Sequence, residues 1–359
     1  MKPIRLITDF LTVGVWTLLS RILGFVREVM ILSLIGPGPV MDAFVAAFRL
    51  PNMFRRFFAE GAFNAAFVPM FSAKLEGDED AARFGRDALN GLALVTLLLP
   101  AIAMIFMPAL VWATAGGFGQ ERFAIWVIPL AGVAQLALTW GAAAQAGLAR
   151  KPALPRVTPD MSQMVRTAVP AALATGVMQI NLVVGQLVAS NYDNAVSWLF
   201  AADRLYQLPL GVVGIAVGIV LLPDLSRRLK AEDMTGARNA YSRATEFSMA
   251  LTLPSAVALM VIPLPLVSVL FQRGATGVDD AAAIATAVAI YGAGLPAFVL
   301  QKVLQPQYFA RGDTKTPFYF ALVAMVINAA IAIGLSPVLG WIAPAVATTV
   351  AGWAMLGLL

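Results

Sequence analysis

The chain has 359 residues, of which 60% are hydrophobic and only 13% charged, with a formal net charge of +5. A soluble domain carries about 25% charged residues, so this composition describes a membrane protein. The absence of cysteine and histidine excludes disulfides, thiolate nucleophiles, histidine bases and the usual zinc sites. The basic residues lie between apolar runs and form no patch, which argues against a nucleic-acid partner.

Repeated apolar runs of about 20 residues predict membrane-crossing helices. In chain order the expected spans are 11–36, 41–73, 88–113, 123–148, 167–190, 195–222, 244–271, 281–309, 317–336 and 340–359. The first run is too long for a signal peptide, carries Arg21 and Arg27, and precedes no small-residue cleavage pattern. It is read as a retained helix. Pro51, Pro69, Pro100, Pro209, Pro254 and Pro296 interrupt several spans, as membrane helices tolerate when neighbours satisfy the freed backbone. The connections alternate in charge. One set carries Lys2 and Arg5; Lys74, Arg83 and Arg86; Arg150, Lys151 and Arg156; Arg227, Arg228, Lys230, Arg238 and Arg243; and Arg311 with Lys315. The other set is nearly bare, with Arg273 alone in Gln272–Asp280. The positive-inside rule then puts both termini in the cytoplasm.

The linker 149–166 is expected to separate a shortened amino-terminal lobe of four spans (1–148) from a carboxy-terminal lobe of six (167–359). The fold class is an all-α polytopic membrane protein, with about ten transmembrane helices in two bundles around a central cationic cavity.

Arg21, Arg27, Arg55 and Arg56 lie inside otherwise apolar spans. A charge at that depth costs about 2.5–3.5 kcal/mol on insertion scales, so such residues generally face a cavity and carry function. Arginine is always charged, and its planar fork suits phosphate. On a helical wheel Ser20, Arg21, Gly24, Arg27 and Glu28 share an arc of about 120°. Two readings stay open for this stripe. It either pairs with Glu28, Asp42 and Glu60 to hold the bundle, or it faces an anionic ligand; two arginines against one glutamate favour the ligand.

In the second span, Asp42 and Arg49 come first, Pro51-Asn52 breaks the helix, and Arg55, Arg56 and Glu60 follow. Arg56 and Glu60 are spaced to pair on one face, or Arg56 snorkels to an interface. Arg55 points about 100° away from Arg56, towards a cavity. A third group, Trp198, Asp203, Arg204, Gln207 and Pro209, places Arg204 mid-span. There it would complete a cationic ring with Arg21, Arg27 and Arg55. Gln301, Lys302 and Gln305 form a fourth polar patch before a turn at 311–317. No Walker loop, metalloprotease motif or nucleophile elbow is present. Transport or binding fits this inventory, and enzymatic chemistry does not.

Several of these motifs resemble one family. Ser20-Arg21-Ile-Leu-Gly24-Phe-Val-Arg27, Asp42-Ala-Phe, Leu50-Pro-Asn52, Arg55-Arg56 and Ala59-Glu60-Gly61-Ala-Phe63 resemble the amino-terminal signature of the MurJ (MviN) lipid II flippases. Ser197-Trp198-Leu, Ala202-Asp203-Arg204-Leu, Leu208-Pro209, Leu222-Pro223-Asp-Leu-Ser226, Lys302-Val-Leu and Asp313-Thr-Lys315-Thr-Pro317 resemble its continuation. The resemblance implies a flippase of the multidrug/oligosaccharidyl-lipid/polysaccharide (MOP) superfamily, with two helical lobes around a cavity. Its implied substrate is lipid II, the undecaprenyl-pyrophosphate-linked peptidoglycan precursor, moved across the bacterial inner membrane. The family's cavity arginines match Arg21, Arg27, Arg55 and Arg204, and its cavity acid matches Asp42. Glu28, Arg56, Glu60, Asp203 and Lys302 are supporting charges.

No cofactor is expected beyond a coupling ion or the membrane potential. The expected partners are lipid II, membrane lipids and cell-wall synthesis proteins. Against the family pattern, two spans are missing between Ala124 and Ile125. The chain also stops at Leu359, inside what resembles a late span, so groove-forming helices are not expected. Three rivals follow from these features. A drug exporter of the same superfamily would prefer an acidic cavity for cationic drugs. A degenerate flippase or membrane scaffold would bind without transporting. A lipid phosphatase or transferase would need a catalytic set that is not visible.

Overall fold

The computed structural model describes residues 3–55, 158–216, 233–310, 313 and 315–359, with scattered positions between 67 and 91 and at 116–117. Among the described residues every regular element is helical: α1 (Pro3–Ile35), α2 (Pro39–Arg55), α3 (Pro159–Ala189), α4 (Ala195–Ala216), α5 (Met234–Val261), α6 (Pro263–Phe271), α7 (Val278–Ala310), α8 (Lys315–Gly334), α9 (Ser336–Leu339) and α10 (Ala343–Leu358), with a 3-10 turn at Gly340–Ile342. The protein is an all-α membrane protein. Four described segments are long and apolar enough to cross a bilayer: Met234–Val261, Val278–Tyr308, Lys315–Gly334 and Ser336–Leu358. The spans expected at 88–113 and 123–148, and most of 41–73 beyond Arg55, lie outside the described residues.

Boundaries moved where caps and prolines act. The span expected at 244–271 is two helices: α5 ends at Val261 and α6 opens with Pro263, while Ile262 between them has a non-helical φ of −123°. Proline has no N–H to continue the ladder but is preorganised for a first helical position. α5 instead starts ahead of the expected 244, at Met234, inside a basic connection. Asp233 sets that start by accepting from the Gly236 N–H at 2.8 Å, an N-cap that satisfies an orphan donor. α3 likewise begins at Pro159 with Asp160 in its first turn, ahead of the expected 167.

Backbone proximity divides the chain into two compact units, Met1–Asp42 with Val188–Leu359, and Ala43–Leu187. In the first unit α7 is the central helix, with α4, α5, α6 and α10 packed around it. Ile284, Leu295, Val288, Val299 and Val303 on α7 are fully buried. Lipid is as apolar as these side chains, so close fit and not water exclusion holds membrane helices together. Gly292 shows the fit: a Cβ added there would lie 2.9 Å from the Leu259 Cβ of α5. The outward faces stay apolar, with Leu251, Val257, Val323, Val326 and Ile333 exposed.

The ends of these helices joined by the nearly uncharged loops are laced together. The Ala275 N–H donates to the Ser33 carbonyl at 2.9 Å, and the buried Thr276 hydroxyl to the Leu32 carbonyl at 3.1 Å. Gly36 and Gly274 make this crossing possible. Both have positive φ (72° and 59°), and side chains there would strike Ala275 and Ser33 respectively. Nearby, Trp198 Nε1 donates to Asp280 at 2.8 Å, and the Tyr192 hydroxyl donates to the Ser336 carbonyl at 2.9 Å.

At the opposite end of α8, the exposed Asp313 accepts from the Lys315 and Thr316 N–H groups at 3.1 and 3.0 Å. The Thr316 hydroxyl, then these backbone donors, hold its carboxyl below the ordinary aspartate range. A carboxyl with a lowered folded value contributes stability that is full above the unfolded value, about pH 4, and is lost as pH falls through the folded value. Amide hydrogen exchange at Lys315 and Thr316 is therefore expected to accelerate relative to the body of α8 below about pH 4. It should not change between pH 5 and 8.

The second unit holds α3 as far as Leu187 and the Ala43–Arg55 part of α2. Arg49 Nη1 donates to the Leu182 carbonyl of α3 at 3.3 Å. Lys74 pairs with Asp160 at 3.1 Å beside a cluster of Phe67, Phe71, Phe84, Ala88 and Met164.

Candidate cationic site

α1 is helical throughout residues 20–28, and its charges are handled individually. Arg27 pairs with its chain neighbour Glu28 at 2.5 Å. Glu28 is buried while the Arg27 side chain stays 60% exposed, so one acid is spent on one arginine. Arg21, a turn and a half earlier, is exposed and lies against α4. A Cβ at Gly211 would sit 2.8 Å from Arg21 Nη1. The missing side chain is therefore the space the guanidinium uses. Arg21 is also within electrostatic reach of the Lys302 ammonium on α7. Two like charges repel unless an anion lies near them, and the repulsion strengthens as water is excluded.

Arg204, on α4, stacks its guanidinium over the Phe200 ring at 4.6 Å. Its buried Nε has no hydrogen-bond partner. Next to it, Asp203 accepts from Gln207 one turn on and meets the Tyr206 hydroxyl. Tyr206 in turn packs against Tyr291 and Phe298 of α7, at 4.9 and 5.6 Å between ring centres. Asp203 is thus bonded along its own helix.

Asp42 is fully buried. It accepts from the Ser197 N–H at 2.8 Å, from the Asn194 N–H at 3.1 Å and from the Ser197 hydroxyl. Asn194 has a φ of 62°, and the carboxylate that meets the first turn of α4 comes from α2. Placed against free N–H groups and the positive helix end, the carboxylate is a cap supplied from another helix. Arg55 ends α2, but its side chain is outside the described residues, as are Arg56 and Glu60.

The structure therefore seats Arg21 against α4 at Gly211, places Arg204 over Phe200 on that same helix, and joins Asp42 to the helix's start. Sequence reasoning missed Gly211 and Phe200. Gly211 follows Arg204 by seven residues, which returns to the same helix face, and that spacing was the available signal.

The fold is shared with solved membrane transporters. A solved structure described as "Lipid II flippase MurJ, inward closed conformation" matches with a TM-score of 0.81 at 22% identity, covering 97% of this chain and 86% of that one. An inward-facing multidrug resistance MATE family transporter of the MOP superfamily matches with a TM-score of 0.70 at 12% identity, covering 92% and 91%. The family model "Lipid II flippase MurJ" matches residues 31–128 and 123–359, and the chain belongs to that family. The probable lipid II flippase MurJ of Rhizobium tropici is 40% identical over 97% of this chain and 79% of its own length. Those of Rhizobium meliloti (39%; 97% and 78%) and Vibrio cholerae (30%; 99% and 82%) are similar over comparable shares.

The two matched pieces meet at 123–128, where the sequence reading places the missing spans. The alignment to the Rhizobium tropici protein runs over 420 positions against 359 residues in this chain. The relative thus holds extra residues within the aligned stretch, enough for two helices of about 20 residues.

Proposed function

We infer that this protein flips lipid II from the inner to the outer leaflet of the bacterial inner membrane by alternating access, with both termini cytoplasmic. The observation that carries the reading is the Arg21 guanidinium seated against α4 at Gly211, with the Lys302 ammonium of α7 near enough to repel it. Such a pair is a standing electrostatic cost without an anion and a binding site with one. A pyrophosphate loses its hydration in a low-dielectric site, and several charge-assisted hydrogen bonds are needed to replace it. Arg21, Arg27, Arg55 and Arg204 supply them along the route while the isoprenoid tail stays in lipid. Asp42 acts as a positioning residue that fixes the start of α4. The partners in this role are lipid II, membrane lipids and cell-wall synthesis proteins. The membrane potential or a coupled ion drives the cycle, a moved charge being worth about 2.3 kcal/mol per 100 mV.

Native mass spectrometry of the purified chain with lipid II, undecaprenol and an anionic phospholipid tests the reading. Retention of lipid II well above the other two is expected. Equal retention of undecaprenol would remove the pyrophosphate from the account. Gly211→Ala gives a finer check. Alanine favours the helix by about 0.5–1 kcal/mol, so thermal stability should hold or rise. The new methyl displaces Arg21, so lipid II affinity should fall by up to about tenfold, less than the loss of a full charge-assisted bond.

A further inference from the structure

α7 carries a soft stretch at its middle, Gly292-Ala-Gly294-Leu-Pro296. Glycines weaken a helix through their backbone freedom. Pro296 offers no N–H to the Gly292 carbonyl, and its ring crowds that oxygen. Helix kinks concentrate at such residues, yet α7 runs unbroken from Val278 to Ala310. Each softening residue is taken up by a neighbour. A Cβ added at Gly292 would lie 2.9 Å from the Leu259 Cβ of α5 and 3.4 Å from the Ala256 carbonyl oxygen. One added at Gly294 would lie 3.1 Å from the Thr349 Oγ1 of α10 and 2.9 Å from the Phe298 ring. α10 then bonds to α7 on both sides of Pro296. Before the proline, the Thr349 hydroxyl donates to the Ile290 carbonyl at 2.9 Å and Trp353 Nε1 to the Ala293 carbonyl at 3.0 Å. After it, Gln301 Nε2 donates to the Gly352 carbonyl at 2.6 Å and the Tyr308 hydroxyl to the Leu359 carbonyl at 2.8 Å. The Phe298 ring fills the space that a side chain at Gly352 would need.

We propose that α10 is a splint for α7, with Thr349 and Trp353, seated through Gly352, as positioning residues that keep α7 from flexing at Pro296 while the transporter changes state. The glycines and the proline would read as a hinge if their surroundings were open. Here they are seats for α5, for α10 and for Phe298. Flexing at Pro296 would pull the Ile290 and Ala293 carbonyls off their α10 donors, and lipid supplies no water to replace them. The two helices therefore move as one body, and a displacement at one end of α7 reaches the other end undiminished. The splint itself does not depend on the substrate. Only its effect on translocation rests on the flippase reading.

The chain has no cysteine, so cysteines placed at Ala282 and Leu358 take two spin labels and no others. Both positions are exposed, one on α7 before Pro296 and one at the far end of α10. Pulsed EPR in nanodiscs should give a single narrow distance, unmoved by lipid II. Trp353→Phe with Thr349→Val removes the two bonds before Pro296; Trp353 is 46% exposed, so no core cavity opens. This double variant should broaden the distance distribution. Two interhelical bonds in a membrane are together worth about tenfold, so translocation should slow by up to that factor while lipid II binding stays within about twofold. Adding Pro296→Ala restores the missing helix bond. It should return both the narrow distance and the rate, a rescue that a general packing defect would not show. Pro296→Ala alone should translocate within about twofold of wild type. A wild-type distance that is broad or moves with lipid II would make Pro296 a hinge and overturn the splint, as would loss of translocation in folded Pro296→Ala. A folded double variant with wild-type distances would overturn it too; if that variant does not fold, the wild-type distances and Pro296→Ala decide. The distances need no transport, so wild type that moves no lipid II would sink the flippase reading and leave the splint to the EPR result.

Discussion

An Arg21→Ala variant binds lipid II about 10- to 150-fold more weakly than wild type, the equivalent of one charge-assisted bond of about 1.5–3 kcal/mol. It folds normally. The reason for this dissociation between binding and folding is where the side chain sits. Arg21 is exposed and meets α4 at a glycine, so its removal opens no cavity in packed helix. Its loss also relieves repulsion with Lys302, so the thermal midpoint in detergent should be unchanged or slightly higher. Arg21→Lys should recover part of the affinity, because it restores charge without the planar fork that grips phosphate in two places. Isothermal binding of lipid II to the three proteins, with melting curves alongside, checks each element. A loss of affinity that tracks a loss of folding would remove Arg21 from the binding site.

Asp42→Ala has the opposite signature. Asp42 is fully buried and accepts from two backbone N–H groups and one hydroxyl at the start of α4. Alanine leaves those donors without an acceptor in a site water does not reach, at a cost of about 1–3 kcal/mol. It also removes a negative charge from the positive end of a helix. The expected result is a clear fall in the thermal midpoint, with faster amide exchange at Asn194 and Ser197. Asp42→Asn retains one acceptor oxygen and should fall in between. Lipid II affinity should drop only as far as the folded fraction drops. A melting curve identical to wild type would show that the cap is not what Asp42 contributes.

The sequence made the class and the cations legible for different reasons. Apolar runs of bilayer length and the alternation of Lys and Arg between loops need no tertiary information, so α7 and α8 appear close to their predicted bounds. The split between α5 and α6 was missed because the apolar run continues through Ile262 and Pro263. Periodicity does not register the single residue whose backbone leaves the helix. The span was drawn from 244 because the first turns of α5 are polar, although Asp233 marks the helix start as a cap. Arg21 and Arg204 stood out as charges in apolar spans. The seat of Arg21 at Gly211 did not, since the height of one helix against another depends on packing. The capping role of Asp42 was not legible for the same reason: its partners lie 152 and 155 residues away. No local pattern announces a cap supplied from another helix.

Carriage of lipid II across a bilayer by this chain is directly observable. The most direct measurement is translocation of fluorescent lipid II in vesicles containing the purified full chain, with Arg21→Ala vesicles as the comparison. Time-dependent appearance of the headgroup on the opposite face, reduced in the variant, is the predicted result. Folded protein that binds lipid II but leaves its leaflet distribution equal to that of protein-free vesicles would contradict it.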